Sequence, residues 1–313
     1  MLSADIFGAP PITFDQIRSI DEQAPQLILW AVPLMIFFAV LEYLVARWQH
    51  RDDIYDHSEL RGSVLVGLGY LLSNYLTKII LFSITVFIYN LIPWRQHFVW
   101  WLFFPCYVLH DFCSYWAHRI SHEQRLWWAT HVPHHSANHY NLAVSFRLSW
   151  IQQLKILFFI PVIAAGFHPL VFFVVNQVAV LFQYWVHTEY IGKLHPWIEY
   201  IFATPSNHRV HHGSQKKYLD KNFGATFIIW DRLFGTYMAE QDRPVYGLTT
   251  PIHSSNPFYL VFHELIELMK DLQSAPSWRH RLWFLFGSPI TIARYKKIQQ
   301  IQQKRQAQSN PMG

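Results

Sequence analysis

The chain alternates between long apolar runs and short polar connections, and the runs are longer than the core helices of an ordinary soluble domain. Leu27 to Ala46 is apolar except for Glu42 near its end, with Pro33 inside it. Val64 to Ile92 exceeds the roughly 20 residues that cross a bilayer, which predicts one tilted helix or a helix bent around Asn74 and Lys78. Phe98 to Ala117 is a third candidate span. From Trp150 to Val186 the apolar stretch is interrupted by Gly166, Phe167, His168 and Pro169, the pattern of two short helices joined by a turn. The runs predict an all-α fold of multi-pass integral membrane helices, about four spans with the last a helical hairpin.

Composition agrees with this pattern. Of 313 residues 52% are hydrophobic and 18% aromatic, with only 14% charged. Residues 1–26 lack a basic start followed by an apolar core and carry Asp5, Asp15, Asp21 and Glu22, so they read as an N-terminal segment and not as a signal peptide. The expected division is then 27–97 for the first spans, 98–250 for a catalytic domain and 251–313 for an interfacial segment with a basic tail. Within that last part Phe258 to Leu272 carries an apolar stripe, and Arg279 to Arg305 mixes Trp283, Phe284, Leu285 and Phe286 with seven basic residues, suiting anionic headgroups. Beyond Gln299 a solvated, partly disordered tail is expected. Cys106 and Cys113, the two cysteines, lie in one apolar run and read as buried thiols. A net charge of +5 without a Gly-rich phosphate loop or a nucleic-acid motif gives no reason to expect a nucleic-acid partner.

The polar chemistry is concentrated in histidine. Twelve of 19 histidines fall in two windows, His110 to His139 and His187 to His212. Three spaced sets stand out: His118 with His122, His131 with His134 and His135, and His208 with His211 and His212. Residues three or four apart share a helix face, so each set is expected to aim its rings at a common point. If the stretch from 150 to 186 crosses the membrane twice, or dips in and returns, both windows lie on one face. Arg47, Arg51, Arg61, Arg119, Arg125, Lys193, Arg209, Lys216, Lys217 and Lys221 are on that side, which the positive-inside rule makes cytoplasmic. The expected architecture is therefore a set of membrane helices carrying a cytoplasmic, histidine-rich di-metal helical cap.

Eight converging imidazoles would repel one another if protonated and would be unsatisfied polar groups if neutral and buried. Metal resolves both problems. Eight nitrogens exceed one tetrahedral zinc site and argue for two ions with open positions, although imidazole suits iron, zinc, copper and nickel alike. The zinc-protease pattern H-E-x-x-H is absent, because His122-Glu123 continues as Gln124, Arg125 and Leu126. A histidine-rich metal carrier or transporter is the non-enzymatic alternative, but it would place ionisable ligands within the spans and not at the membrane face.

The order of these motifs resembles the fatty acid hydroxylase and sterol desaturase superfamily of membrane enzymes. The text is most similar to the alkylglycerol monooxygenase branch over Tyr115-Trp116-Ala117-His118-Arg119, His122-Glu123, His134-His135-Ser136, Gln183-Tyr184-Trp185-Val186-His187-Thr188-Glu189, Thr204-Pro205-Ser206-Asn207-His208-Arg209-Val210-His211-His212-Gly213 and Ile229-Trp230-Asp231-Arg232-Leu233-Phe234-Gly235. That resemblance implies two iron ions, dioxygen as co-substrate and a membrane lipid as substrate. In the alkylglycerol branch a tetrahydropterin is the reductant, and hydroxylation beside the ether oxygen gives a hemiacetal that breaks to a fatty aldehyde. Other branches hydroxylate or desaturate fatty acids or sterols with a protein electron donor.

By the same resemblance the metal ligands are His118, His122, His131, His134, His135, His208, His211 and His212, with His187 matching a further histidine of the branch. Glu123 and Asp111 are candidates for a catalytic or ligand-orienting carboxylate, with Glu189, Asp220 and Asp231 similar. Glu123 is also placed to pair with Arg119 at i−4. His110, His139 and His195 fall off the shared pattern. One position departs from the branch: Asn138 stands where an acidic residue is usual.

Overall fold

The computed structural model describes residues 6–309, and among these every regular element is a helix; β pairing is limited to the isolated bridges Phe7 with Gln96 and Phe202 with Phe227. After the short α1 (Phe14–Gln23) come α2 (Leu27–Trp48) and α3 (His57–Leu91), the two helices long and apolar enough to cross a bilayer by length and composition. At 1.5 Å per residue they measure about 33 Å and about 52 Å. α2 continues through Pro33, and α3 is one helix through Asn74 and Lys78. Asp56 caps α3 by accepting from the Glu59 N–H at 2.9 Å. Both helices turn large apolar side chains outward, among them Trp30, Phe37 and Leu44 on α2 and Leu68, Leu72, Leu76 and Ile80 on α3. Apolar surface of that extent is made for contact with lipid or another apolar partner.

The third apolar run is shifted from its expected bounds: a 3-10 turn at Trp100–Leu102 leads into α4 (Phe103–Glu123). α4 buries His110 and Asp111 in its middle and packs against α5 (Arg125–Trp128) and the region from 152 onward. α6 (Val132–His135) follows, started by Pro133 at its second position. The stretch from 150 to 186 divides as expected, into a 3-10 segment (Gln152–Phe159) running into α7 (Ile160–Ala164), then a turn, then α8 (Pro169–Phe182). Gly166 makes that turn with φ +86°, and a Cβ there would lie 2.6 Å from the Trp94 carbonyl oxygen. Each of the two pieces is shorter than a full span. α3, α4, α7 and α8 meet in one core built from Phe82, Val86, Tyr89, Cys106, Cys113, Val162, Val171, Phe172 and Val175, so both thiols are buried and unpaired as expected.

The remaining helices close the cap. α9 (Pro196–Ile201) and α10 (Pro205–His211) both begin with proline at N1, and Thr204 caps α10 through the Asn207 N–H. α11 (Ile229–Leu233) precedes a loop that leads to α12 (Pro257–Ser274), α13 (Trp278–Phe286) and α14 (Pro289–Ser309). α12 packs on α3 and α13, and its Glu264 and Asp271 hold the buried Arg125 through 2.6 Å hydrogen bonds. The expected irregular tail after Gln299 is instead helix to Ser309, written largely in Gln, Lys, Arg and Ala, which favour the helical state.

One carboxylate ties the first long helix to the cap. Glu42 of α2 is buried and accepts from the Tyr55 hydroxyl at 2.7 Å, from the Leu142 N–H at 2.8 Å and from the Thr188 hydroxyl. Leu142 follows α6, and Thr188 follows His187. Replacing Glu42 with Ala strands three buried donors and is expected to cost about 2–4 kcal/mol, read as a lower unfolding midpoint of the detergent-solubilised protein, with Glu42→Gln losing less. A shift no larger than that of an exposed control substitution would show that the clamp carries no stability.

Candidate metal centre

The local folding of four segments brings the histidines together. α4 projects His118 and His122 one turn apart from its end, α6 and the residue before it supply His131, His134 and His135, the chain returning from α8 supplies His187, and α10 supplies His208, His211 and His212. All nine fall into two groups whose candidate ligand atoms lie within 4.8 Å of one another: His118, His122, His131, His135 and His211 in one, His134, His187, His208 and His212 in the other. The expectation that each spaced set aims at one point holds for His118 and His122 but not for the two His-His pairs. Consecutive helical residues diverge by about 100°, so His134 and His135 face different groups, as do His211 and His212. The groups share a wall, where the rings of His135 and His212 stack at 4.3 Å.

The nitrogens are positioned for a metal. In the first group Nε2 of His131 lies 2.9 Å from that of His118 and 3.2 Å from that of His135, which lies 3.1 Å from that of His211. In the second, Nε2 of His134 lies 3.1 Å from those of His187 and His212, and His208 approaches His187 at 3.0 Å. The Nδ1–H groups of His118, His211 and His187 donate to the carbonyls of Phe223, Lys221 and Gln183 at 2.8, 2.9 and 2.8 Å. This fixes Nδ1 as the protonated nitrogen in all three, leaving each Nε2 a bare lone pair facing other imidazoles. Two nitrogens bound at about 2.1 Å to one ion and 90° apart would be separated by about 3 Å, which is the spacing here. Nε2 of His122 is buried without any hydrogen-bond partner, a further sign that the donor set is made for a cation. Nine imidazoles in groups of five and four fit two metal ions.

Burial keeps these rings neutral. Desolvation first, then repulsion from neighbouring imidazoles or, for His131, from Lys155, push His118, His131, His134, His135, His208, His211 and His212 well below the ordinary histidine range. Burial alone takes His187 down to about 4. Burial also lowers His122, opposed by Asp220, whose Oδ1 is 3.7 Å from its Nδ1.

The acidic candidates act at one remove. Asp111, fully buried on α4, accepts from the N–H groups of Thr226 and Phe227 and from the Trp230 indole, at 2.8, 3.1 and 2.9 Å. Asp231 accepts from the N–H groups of Phe223 and Gly224, both at 2.7 Å, and from the Thr236 hydroxyl at 2.6 Å. Together they hold the loop whose Lys221 and Phe223 carbonyls orient His211 and His118. Glu123 is bonded to Arg119 at 2.8 Å, and Glu189 pairs with Arg243 at 2.9 Å. Among the described residues no hydrogen bond joins Glu123 or Asp111 to an imidazole of the two groups. His110 bonds to Asn176 at 3.2 Å, His139 to Glu59 at 3.0 Å, and His195 precedes α9, so all three lie outside the groups. Asn138 donates its N–H and side-chain amide to Glu59, so an acid from α3 stands against the position where the branch has its own.

Residues 103–236, which contain all nine histidines, match the family described as fatty acid hydroxylase. The chain resembles, over most of its length, the alkylglycerol monooxygenases. It is 35% identical to the alkylglycerol monooxygenase of Homo sapiens over 277 residues, covering 86% of this chain and 60% of that protein. The Xenopus tropicalis alkylglycerol monooxygenase is 39% identical over 198 residues, covering 63% of this chain and 44% of that protein. Ornithine lipid hydroxylase OlsE of Rhizobium tropici is 33% identical over 132 residues, 42% of this chain and 40% of that one. The chain thus spans about half the length of the curated relatives it matches. No solved structure matches it.

Two outcomes test this geometry. An imidazole held neutral refuses a proton that the unfolded chain accepts near pH 6.5, so the contribution is complete above about pH 6.5 and is lost as pH falls, for His187 down to about 4. Denaturant midpoints of the metal-free protein should therefore drop between pH 7.5 and 5.5, and a level profile would contradict neutral burial. Asp231→Ala should release the Phe223 carbonyl and weaken metal binding by about 10–100-fold, titrated with cobalt(II). Unchanged affinity would remove Asp231 from the support of the site.

Proposed function

We propose that this chain is an iron-dependent membrane monooxygenase that hydroxylates a lipid C–H bond, with an ether lipid of the alkylglycerol class as substrate. The observation that carries the proposal is the pair of neutral histidine groups, buried in the cap beside the outward apolar surfaces of α2 and α3. The nine histidines of the two groups are the ligands of two iron ions. The names of the relatives support lipid as the substrate class, and the alkylglycerol relatives cover more of this chain than the ornithine lipid hydroxylase does. The basic residues on the cap side support an orientation with the site at the cytoplasmic face, α2 and α3 crossing and the pieces from 152 to 182 entering the bilayer from the same side.

Iron held there supplies activation of dioxygen and transfer of one oxygen atom to carbon. The residues do the rest. The carbonyls of Phe223, Lys221 and Gln183 hold three imidazoles in the tautomer that offers Nε2. Burial keeps protons and bulk water from the ligands. The balance requires two electrons and two protons, so that the second oxygen atom leaves as water; a reduced pterin is the donor implied by the alkylglycerol resemblance. Hydroxylation of the carbon beside an ether oxygen gives a hemiacetal, which breaks into a fatty aldehyde and a glycerol.

The test is aldehyde release from an alkylglycerol by the iron-loaded protein in lipid, with dioxygen and tetrahydropterin. Wild-type protein should release aldehyde in a reaction requiring both, and His134→Ala should lower the rate at least about 100-fold. No aldehyde from protein shown to retain iron would redirect the assignment to acyl or sterol oxidation with a protein electron donor.

A further inference from the structure

Outside the metal centre, one buried charge has no use in the chemistry above. Arg147 is 1% exposed, and its Nε and Nη1 donors have no hydrogen-bond partner. Enclosing a guanidinium with idle N–H groups is costly in general, so such a group is retained where an acceptor arrives from elsewhere. The acid whose field reaches it, Glu59, already accepts from the N–H and side-chain amide of Asn138 and from the N–H and ring of His139. A second idle donor lies on the same segment: Nε2 of Gln153 is also buried without a partner.

This segment joins the lipid-facing side of the molecule to the metal centre. Phe146, before Arg147, packs on Gly67 of α3, and Trp150, after it, donates its indole N–H to the Val66 carbonyl at 2.8 Å and accepts from the Ser73 hydroxyl at 2.5 Å. At this level α3 shows Leu65, Leu68, Leu71 and Leu72 to the outside. Further along, Lys155 places Nζ 3.5 Å from Nδ1 of His131, and no acid pairs with it among the described residues. The stretch from 147 to 155 therefore offers a guanidinium and an amide whose donors have no matching acceptor, between an apolar exterior and the histidines.

We infer that Arg147 is a specificity-determining residue that binds the oxyanion of a lipid head group, so that the substrate is an acidic amphiphile, with a phosphate on its glycerol, in preference to a neutral one. The inference rests on the lipid-oxidising reading above and adds the charge of the head group. Guanidinium suits this ligand because its planar fork pairs two N–H groups with two oxygens of a phosphate. Gln153 supplies a neutral donor to the same head group.

The experiment measures binding and not turnover. Full-length protein in maltoside micelles is titrated with 1-O-hexadecylglycerol, with 1-O-hexadecylglycerol 3-phosphate and with inorganic phosphate, for wild type, Arg147→Met and Arg147→Lys. Wild type should bind the phosphate-bearing lipid at least about tenfold tighter than the neutral one, Arg147→Met should bring the two within about twofold, and Arg147→Lys should keep part of the preference. No preference in wild type, or a preference undiminished in Arg147→Met, would overturn the inference. Inorganic phosphate binding as tightly as the phosphate lipid would also overturn it, since the site would then take a free anion. If Arg147→Met does not fold, Arg147→Lys and a Gln153→Leu variant decide, because each should narrow the preference. Aldehyde release from the neutral lipid, assayed separately, tells failure of the oxidase reading apart from failure of this one.

Discussion

Nine neutral imidazoles confined to one small volume are the constraint around which the rest of the molecule is arranged. The lone pairs of Nε2 in His118, His187 and His211 face other imidazole nitrogens about 3 Å away, and bulk water has no access to them in a closed interior. A cation in each group takes those lone pairs into coordination. The fold has to supply the confinement before any metal arrives, since the ligands come from segments nearly a hundred residues apart.

Confinement is achieved mainly by backbone carbonyls and buried carboxylates remote from the ligands. His118 and His211 are oriented by the loop from Lys221 to Phe223, and Asp111 and Asp231 stretch that loop between α4 and α11. Glu42 performs the corresponding task on the other side, joining α2 to the residues beside α6 and His187. The long apolar helix α2 and the histidine-bearing segments are thus one mechanical unit.

Much of this could be read in the letters because helical spacing is local. The separation of His118 from His122, of His131 from His135 and of His208 from His212 by four residues puts each pair on one face, and the break at Gly166 is written in the turn residues. The division of each His-His pair between two groups follows from the same helical geometry but needs the partner segments in place to be seen. The carbonyls that orient the rings carry no sequence signature, since every residue has one. Glu42 and Arg147 were equally silent: a lone acid near the end of an apolar run and a lone arginine among apolar neighbours look like interface residues until Tyr55, Leu142 and Thr188 are found around the first and no hydrogen-bond partner for two donors of the second. The bounds of α4 and the helicity beyond Gln299 were shifted from expectation for a related reason, because packing and side-chain propensity act where hydropathy is indifferent.

The central claim, that the histidines divide into two metal sites, is tested most directly by counting ions. Native mass spectrometry of the intact protein in detergent, saturated with ferrous iron without oxygen, should show two ions per chain. A chain that takes up one ion or none, with all nine histidines intact and the fold preserved, would contradict it.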